Sequence, residues 1–469
     1  IRDRRSTIKI VILLFFICIS MSGASFPDME KYMRQHALIW EQLPMQWNEG
    51  AFLGNGLVGM MVYADSTLNA LVFHLGRPDV TDHRKAPYRK TSIGTEEADK
   101  MVDFCRLDVG KMLLFPEGKI LSGTFYLDIY NAELTGHLKT DKGDLTFHAY
   151  TPQPEEVNIV EVSSGVPYRW KGIPGNPCSP RIRVFPHLKE KLKYKDNPAP
   201  VVNQKDKEGS WVQSLLAGGD YATYWKEVPG GKSRSVLYVS TANEVPASSL
   251  SLAKAMKTVE ATQITGTKLL KQKTRQWWNA YHERSFLSIP DKKLENFYFI
   301  QMYKLATCSH PDGPAMDVMG TFFKLSPWPS FWWNLNIQLT YMPIGPANRM
   351  EQGKNFQRLM DEVFPSLVRS IEPCKIGDYT WALQNYYMYL RYAGADWQDI
   401  KQQVVPKALD AFAVFDKILC YKENTWHLTH IESPEYEGFQ KYNDSNYGLA
   451  SLSWLLQTLI ACHDRTSST

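Results

Sequence analysis

Two asparagines one residue apart stand out in the otherwise apolar stretch Trp332 to Leu339. Asn334 and Asn336 flank Leu335, and Gln338 follows them. Asn is unfavourable inside a helix, because its side chain competes for backbone hydrogen bonds. A carboxamide can hold a water molecule or a hydroxyl group without taking its proton. These side chains therefore indicate either a binding task or hydrogen bonds that cap and bridge neighbouring helices.

A second candidate is the polar loop Thr425 to Glu437, which combines three glutamates and two histidines with aromatic residues. Loops held by a rigid scaffold often carry catalytic groups. An aromatic pocket would favour the protonated form of Glu432 or Glu435, and either could then donate a proton. The spacing does not choose between them, and a solvated acidic loop remains the alternative. A zinc site from His427, His430 and Glu435 lacks the helical HExxH order, so we predict no metal.

Two stretches nearer the amino terminus are also polar. Gly54-Asn55-Gly56 supplies a tight turn before a strand, and no helix follows it, which favours a structural turn over a phosphate loop. The stretch Gly76 to Arg84 carries mixed charges just after a buried strand. It could form an ion-pair network or reach a ligand at a domain interface. We find no GxSxG motif for a nucleophilic serine.

The elements that must position these groups fall into two classes. From Phe26 to Asn243 the alternation of apolar residues and the Gly/Pro turns predict antiparallel strands. The predicted strands are Leu57 to Tyr63, Leu68 to His74, Lys119 to Ile129, His137 to Thr140, Leu145 to Tyr150, Val157 to Val162, Arg181 to Val184 and Ser235 to Ser240. Such a series is typical of a β-sandwich.

Helical spacing replaces this pattern near Ser248. Helices are predicted near Leu250 to Val259, over Leu269 to Tyr281, after Pro290-Asp291, and over Trp332 to Tyr341, Phe356 to Ile371, Tyr379 to Tyr392, Trp397 to Ile418 and Tyr447 to His463. We therefore predict a β-sandwich over residues 26–245, a helical linker over 246–289 and a helical domain over 290–469.

Composition narrows the function classes. The 469 residues are 44% hydrophobic and 22% charged, which is ordinary for a globular protein. Basic residues, an apolar run from Ile10 to Ile19 and small residues predict a cleaved signal peptide over 1–25, so that the protein would be secreted or periplasmic, with a membrane anchor as the alternative. Without residues 1–25 the net charge falls from +4 to about +1, which argues against nucleic-acid binding. The remaining cysteines contain no CxxC pair, and one or two disulfides are possible.

These stretches together resemble family 95 glycoside hydrolases, the inverting α-L-fucosidase type. Trp47 to Gly59 resembles the amino-terminal W-x-E-A-x-P-L-G-N-G-x-x-G motif of the family. Asn334 to Gln338 resembles its H-x-N-I-N-x-Q run, and Ser433-Pro434-Glu435 resembles its S-P-E-N loop. Trp381 with Tyr386 to Asp396 resembles the helix pair between them. The resemblance implies a β-sandwich joined to an (α/α)6 barrel of the six-hairpin glycosidase type.

The resemblance also implies roles for particular residues. Glu435 would be the general acid, while Asn334 and Asn336 would position the attacking water. Trp332, Trp333, Trp381 and His430 are candidate contacts for an oligo- or polysaccharide substrate, since sugar rings pack on indoles. No cofactor, no nucleic acid and no membrane span after signal cleavage are expected, and the oligomeric state is left open.

The chain also departs from the family pattern. Trp332 stands where the family has His, and Tyr436 follows the acid where Asn is usual, so the sugar specificity is expected to differ. The family's catalytic Asp lies in a D-G-N-F-G segment far downstream. Asp444 imitates this segment but lies only nine residues after Glu435, so it is interpreted as a helix cap. We therefore expect an incomplete barrel whose base lies beyond Thr469.

Two alternatives remain open at this point. One is a catalytically inactive carbohydrate-binding protein on a hydrolase scaffold. The other is a related barrel enzyme, either α-galactosidase-like or phosphorylase-like.

Overall fold

A computed structural model describes residues 28–84, 100–231, 233–245, 250–432 and 440–467. The predicted signal peptide and Glu435 both lie outside these ranges. The described chain forms an antiparallel β domain followed by a helical domain, which confirms the predicted order of the two classes.

The β domain consists of two antiparallel sheets. The larger sheet has nine strands in the order β1-β6-β7-β8-β9-β14-β13-β12-β11, and the smaller has the order β10-β5-β4-β3-β2. The strands are β1 (Leu38–Trp40), β2 (Ala51–Gly54), β3 (Gly59–Asp65), β4 (Ala70–Gly76), β5 (Lys111–Pro116), β6 (Ile120–Asp128), β7 (Glu133–Thr140), β8 (Asp144–Tyr150), β9 (Val157–Ser164), β10 (Tyr168–Ile173), β11 (Val201–Gln204), β12 (Glu208–Ser214), β13 (Asp220–Gly231) and β14 (Arg234–Glu244).

The sheets pack face to face through aromatic side chains. The Phe73 ring of β4 lies 5.5 Å from the Phe147 ring of β8, and Phe147 lies 5.4 Å from Phe125 of β6. Alternate residues of β7 and β8 are buried, as the period of two predicts for strands with one covered face. The predicted β-sandwich layering is thus formed by side chains from both sheets.

One predicted strand is wrong. Residues Pro180–Val184 form a short helix, α2, which Pro180 begins because its missing N–H costs nothing at a helix start. A second short helix, α3, spans Leu188–Lys191. A helix at the amino terminus, α1, spans Met29–Met33.

The helical part begins with α4 (Ser251–Thr265), which covers the outer face of the larger sheet. Its Ala255 and Val259 pack with Tyr150, Ile159 and Tyr238 of the sheet in one buried cluster. The following helices are α5 (Thr267–His282), α6 (Lys292–Cys308), α7 (Asn336–Tyr341), α8 (Lys354–Glu362), α9 (Phe364–Ser370), α10 (Ile376–Tyr392), α11 (Trp397–Gln403), α12 (Val405–Phe415) and α13 (Asn446–Ser467). Asp291 caps α6 by accepting from two backbone N–H groups, as Pro290-Asp291 predicted.

Two helices predicted as continuous are each divided. The predicted helix over Phe356 to Ile371 breaks at Val363, and the predicted helix over Trp397 to Ile418 breaks at Val404. In both cases a proline follows within the first turn of the next helix, where its lack of an N–H is tolerated but would interrupt a continuous helix.

The Gly54-Asn55-Gly56 turn joins the two domains. The N–H of Gly56 donates to the carbonyl of Thr307 at 2.9 Å, and Gly56 has a φ of 81°. A Cβ atom there would lie 2.3 Å from the backbone carbon of Ser309. The Asn55 side chain donates to two carbonyls and accepts from the N–H groups of Leu57 and Val58. These contacts account for the turn as a structural element.

Two further observations concern the chain as a whole. Among the described helices, none combines the length and the apolar character that crossing a bilayer requires. Cys105, Cys178, Cys308, Cys374, Cys420 and Cys462 are all free thiols, so the disulfides considered from the sequence do not form among them.

Candidate functional site

The candidate site is built around a strained turn at Asn334-Leu335-Asn336. Leu335 has a φ of 58° and a ψ of −52°, which is close to the γ-turn with positive φ at about 75° and −65°. The N–H of Asn336 donates to the carbonyl of Asn334 at 2.5 Å, which is the i to i+2 bond of that turn. The helix predicted from Trp332 is therefore wrong at its start, and α7 begins only at Asn336. A non-glycine residue in this conformation is strained and persists only where its surroundings hold it.

The turn places the side-chain amides of Asn334 and Asn336 in different environments. Asn334 is buried, and its Nδ2 donates to Oδ1 of Asp378 at 2.9 Å. Asn336 is exposed at the start of α7. Neither Oδ1 of Asn334 nor the amide of Asn336 has a hydrogen-bond partner within the described ranges. Both amides can therefore still hold a water molecule or a hydroxyl group.

Asp378 is the centre of the buried part of the site. It lies in the first turn of α10 and is 3% exposed. Its Oδ1 accepts from Asn334 and also from the hydroxyl of Tyr447 at 2.6 Å. Its backbone carbonyl accepts from Nε2 of Gln338 at 2.9 Å. Gln338 also donates to the carbonyl of Trp333, so that one amide ties α10 to the residue that precedes the turn.

Tyr447 is held in its donor form. Burial raises its pKa well above the ordinary value, and the nearby charge of Asp378, the hydrogen bond to that carboxylate and the charge of Glu432 raise it further. Its ring packs so closely on α10 that a Cβ atom on Gly377 would lie 2.4 Å from its Cε1. The phenol therefore remains protonated and serves as a fixed hydrogen-bond donor to Asp378.

Glu432 brings a second buried carboxylate to this region. It ends the short strand β17 (Ile431–Glu432), which follows the hairpin of β15 (Leu419–Lys422) and β16 (Thr425–Leu428) and pairs with β18 (Lys441–Tyr442) in antiparallel register. Glu432 is 8% exposed, and its charge acts on Tyr447 and on Cys374. The predicted acid, Glu435, follows Glu432 by three residues in the sequence and lies outside the described residues.

The two tryptophans before the turn are packed in the interior. Trp333 is 1% exposed and stacks on Tyr379 with ring centroids 5.0 Å apart. Trp332 is 6% exposed and packs with Phe104 of the β domain and with Trp328. Packing accounts for both indoles in this structure, and sugar contact by either ring remains only a prediction.

Trp381 and His430 are more accessible. Trp381 is half-buried and lines a cavity of about 190 Å³ together with Tyr341, Phe356 and Tyr389. His430 is exposed, has a φ of 55°, and its N–H donates to Oδ1 of Asn443. The cavity beside Trp381 is aromatic on several sides, which suits the apolar face of a ring-shaped ligand. Neither residue contacts Asn334 through a hydrogen bond.

Asp444 has a different role from the helix cap that the sequence suggested. Its Oδ1 accepts from the N–H of Leu428 at 2.8 Å and its Oδ2 pairs with Nδ1 of His427 at 2.7 Å. These hydrogen bonds lower the pKa of its carboxyl, the bond to His427 most of all. The hydroxyl of Ser445 accepts from the N–H of Gly448 in the first turn of α13, so the capping contact comes from Ser445.

The described residues of this region form no metal site. Within the described residues, no group of three or more His, Cys, Asp or Glu side chains is arranged to hold a metal ion. His427 is occupied by Asp444, and His430 lies on the surface, so these two histidines do not converge with a described carboxylate on one centre.

Sequence reasoning missed Asp378 and Tyr447. Asp378 follows a glycine at the start of an apolar helix. In the segment Asp444 to Gly448 the sequence pattern pointed to Asp444, but Tyr447 is the residue whose hydroxyl reaches Asp378. Polar residues in the first turn of an otherwise apolar helix were the signal available for Asp378. Its partners are 44 and 69 residues away, which no local pattern reveals.

Comparisons with known proteins support the fold. No protein-family model matches the chain, and no curated protein matches it. A solved structure described as a kojibiose phosphorylase from the human microbiome superposes with a TM-score of 0.57 and 9% identity, over 89% of this chain and 63% of that chain. The present chain therefore spans less than two thirds of that structure.

Two further solved structures match with lower scores. A bacterial glucoamylase complexed with acarbose gives a TM-score of 0.35 at 8% identity, over 84% of this chain and 73% of that chain. A family 92 α-mannosidase from Bacteroides thetaiotaomicron gives 0.29 at 8% identity, over 79% and 64% of the two chains. The likeness to the phosphorylase structure shows that this chain shares its fold, with a β domain followed by a helical domain.

Proposed function

We propose that this chain is part of an exported glycoside hydrolase that cleaves α-L-fucoside-like bonds in plant or host glycans with inversion of configuration. The observation that carries the proposal is the strained turn at Leu335. It fixes Asn334 on the buried carboxylate of Asp378 and leaves Asn336 exposed. Strain of this kind collects at functional sites, because a relaxed backbone would present the side chains differently.

The proposed roles follow from what inversion requires. A protonated carboxyl must deliver a proton to the leaving oxygen, and a carboxylate must activate a water on the opposite face, roughly 6.5 to 9.5 Å away. Glu435 is the proposed general acid. Asn334 and Asn336 hold the attacking water through their amide groups, which cannot remove its proton. The base is proposed to lie in helices that follow Thr469, as the family resemblance implies.

The remaining residues act through the amides. Asp378 is a positioning residue, since it accepts from Asn334 and so fixes the direction of that amide. The hydroxyl of Tyr447 donates to Oδ1 of the same carboxylate and so restricts the rotation of the Asp378 side chain. Trp381 and His430, which are more accessible than the buried residues of the site, are proposed to contact the sugar chain. No metal or other cofactor takes part in the proposed reaction.

The test uses the full open reading frame and a panel of aryl glycosides, including p-nitrophenyl α-L-fucoside and α-galactoside, with and without inorganic phosphate. We expect release of a free sugar that does not depend on phosphate, with the inverted anomer seen first by NMR. Glu435→Gln should lower kcat by about 10²- to 10⁴-fold, the usual contribution of a general acid. Glu437→Gln, in the same loop, is the matched control.

A second measurement identifies the acid specifically. Aryl leaving groups of low pKa need little protonation, so Glu435→Gln should lose far less activity on a 2,4-dinitrophenyl glycoside than on an alkyl glycoside. Should Glu432→Gln show this leaving-group dependence instead, the acid is Glu432. Phosphate-dependent cleavage would favour a phosphorylase. Glycan binding without turnover by either form would favour the inactive binding protein.

A further inference from the structure

A second cavity lies where the β domain meets the helical domain. It has a volume of about 200 Å³, and its lining residues do not include Asn334, Asn336 or Asp378. Three chain segments form it: residues 78–81 after β4, residues 104–106 before β5, and residues between 314 and 331 that precede the strained turn. Part of the charged stretch Gly76 to Arg84 thus reaches this interface, in addition to forming the ion pairs of Arg77 with Asp79 and Glu156.

Arg106 connects these segments. Its backbone forms an isolated β-bridge with Thr81, and its N–H donates to the carbonyl of Pro329 at 2.5 Å. Its Nη1 donates to Oδ2 of Asp317 at 3.1 Å and to the carbonyl of Gly320 at 2.7 Å. The guanidinium is therefore fixed at the wall of the cavity.

Two side chains that line the cavity have buried polar atoms without a partner. Nε and Nη2 of Arg106 make no hydrogen bond in the described structure, and neither does Oγ of Ser330. Arg106 is 1% exposed and Ser330 is 3% exposed, so bulk water does not satisfy them. Leaving a buried donor without an acceptor is unfavourable, and a bound ligand with suitable acceptors would recover that cost.

The charges around the cavity favour a neutral ligand. The guanidinium of Arg106 is already paired with Asp317, and the carboxylate of Asp79 is paired with Arg77 through two hydrogen bonds at 2.7 and 3.0 Å. An anion would therefore meet carboxylates whose charge is balanced, and the described residues that line this cavity include no unpaired cation to attract it. A hydroxyl group can accept from Arg106 and also donate to a carboxylate oxygen, because each oxygen has more than one lone pair.

The remaining walls of the cavity are aromatic and can pack against a sugar ring. Phe104 and Phe331 line the same cavity and are almost fully buried. The C–H face of a pyranose packs on such rings while its hydroxyls meet the polar groups. Sites for drug-sized ligands run to roughly 300 to 1,000 Å³. A cavity of about 200 Å³ matches one sugar ring.

We propose that this interdomain cavity binds one neutral pyranose, with Arg106, Ser330 and Thr81 bonding its hydroxyls. The choice of a sugar among neutral polyols rests on the proposed function. A neighbouring cavity of about 210 Å³ shares Asp79, Pro314 and Ala315 with the first and continues to Arg358. A second ring of an oligosaccharide would extend in that direction.

The test measures equilibrium binding of D-glucose, D-galactose, D-mannose, L-fucose and inorganic phosphate to the full chain, by calorimetry and ligand-observed NMR. At least one pyranose should bind saturably. Ser330→Ala and Thr81→Val each remove one hydroxyl while keeping the shape of the wall, and should weaken that pyranose about fivefold to tenfold, as expected for the loss of one buried hydrogen bond. Ser330→Ala should not lower the Tm of the sugar-free protein, because its hydroxyl has no hydrogen-bond partner among the described residues.

Ser251→Ala is the matched control, since Ser251 is another fully buried serine whose hydroxyl makes no bond, in α4 and away from the cavity. It should leave sugar binding unchanged. The proposal is overturned if no pyranose binds, if phosphate alone binds, or if Ser330→Ala and Ser251→Ala affect binding equally.

Two variants separate this proposal from the proposed function. Loss of sugar binding in Asn336→Ala but not in Ser330→Ala would place the sugar at the strained turn, which refutes the cavity site and leaves the hydrolase proposal intact. Binding that Ser330→Ala weakens, in a full-length protein that cleaves no glycoside, would support the cavity site and refute the hydrolase proposal.

Discussion

The strain at Leu335 gives a prediction whose sign can be measured. At an ordinary helical or extended position, glycine is less stable than alanine by about 0.5 to 1 kcal/mol, because it loses more backbone entropy on folding. At the φ and ψ of Leu335, a residue with a Cβ atom carries a strain of about 1 to 3 kcal/mol that glycine does not. We therefore expect Leu335→Gly to be more stable than Leu335→Ala, by up to about 2.5 kcal/mol.

Comparing glycine with alanine removes the loss of the leucine side chain from the measurement, because both variants lose it. Leu339 provides the matched pair. It is 47% exposed against 39% for Leu335, and it lies four residues later inside α7. There Leu339→Gly should be less stable than Leu339→Ala by about 0.8 to 1 kcal/mol. The two pairs should thus differ in sign.

The assay is the Tm of the four variants, measured side by side by calorimetry. A change of 1 kcal/mol shifts the Tm of a domain of 150 to 250 residues by about 2 to 4 °C. Leu335→Gly should therefore melt a few degrees above Leu335→Ala. A Leu335 pair that behaves like the Leu339 pair would show an ordinary backbone at Leu335 and would refute the argument that strain orients the two asparagines.

Three further predictions concern two residues beside Asp378 and one ion pair of the β domain. Tyr447→Phe removes the donor at 2.6 Å from a buried carboxylate, so we expect a loss of about 1 to 3 kcal/mol in stability by calorimetry and slower turnover of any glycoside substrate. Gly377→Ala places a methyl group 2.4 Å from the Tyr447 ring, and overpacking of about 1 to 3 kcal/mol should outweigh the gain of about 1 kcal/mol in helix propensity, which lowers the Tm. Burial would raise the pKa of Glu133, but hydrogen bonds, led by that from Arg275, lower it from 4.5 to about 2. This ion pair therefore stabilises the fold above about pH 4.5 and is lost as the pH falls towards 2, so the Tm of Glu133→Gln should fall less steeply over that window than the wild-type Tm.

The Tyr447 and Glu133 variants each have a control. Tyr421→Phe removes an exposed phenol that bonds only Asn424 in a surface hairpin, and its Tm should hardly change. Glu260→Gln changes an exposed glutamate of α4 and should leave the acid limb of the Tm profile as in the wild type. Equal effects of Tyr447→Phe and Tyr421→Phe would argue against a special role for the buried phenol. An unchanged acid limb in Glu133→Gln would show that its carboxylate is not stabilised by folding.

Local sequence patterns determined the classes of secondary structure and their order. Alternating apolar residues in segments such as Leu145 to Tyr150 predicted strands, because a strand presents its side chains to opposite faces. Asp291 marked a helix start, because its side chain satisfies free N–H groups. The errors occurred where short-range rules compete: Pro180 began a helix where a strand was predicted, and Trp332 preceded the helix that it was expected to begin.

The sequence by itself also singled out Asn334 and Asn336, because two carboxamides in an apolar run are chemically unusual. Only the tertiary structure decided what each of them faces. Leu335 takes its positive φ because the packing of α10 and the hydrogen bonds to Asp378 hold the backbone there, and no local propensity of leucine favours that conformation. Asp378 and Tyr447 come together from positions 69 residues apart. Arg106 and Asp317, which both line the interdomain cavity, are 211 residues apart. The spacing of apolar residues along the chain predicts which residues are buried. The partner of a buried polar group is determined only when distant segments pack together.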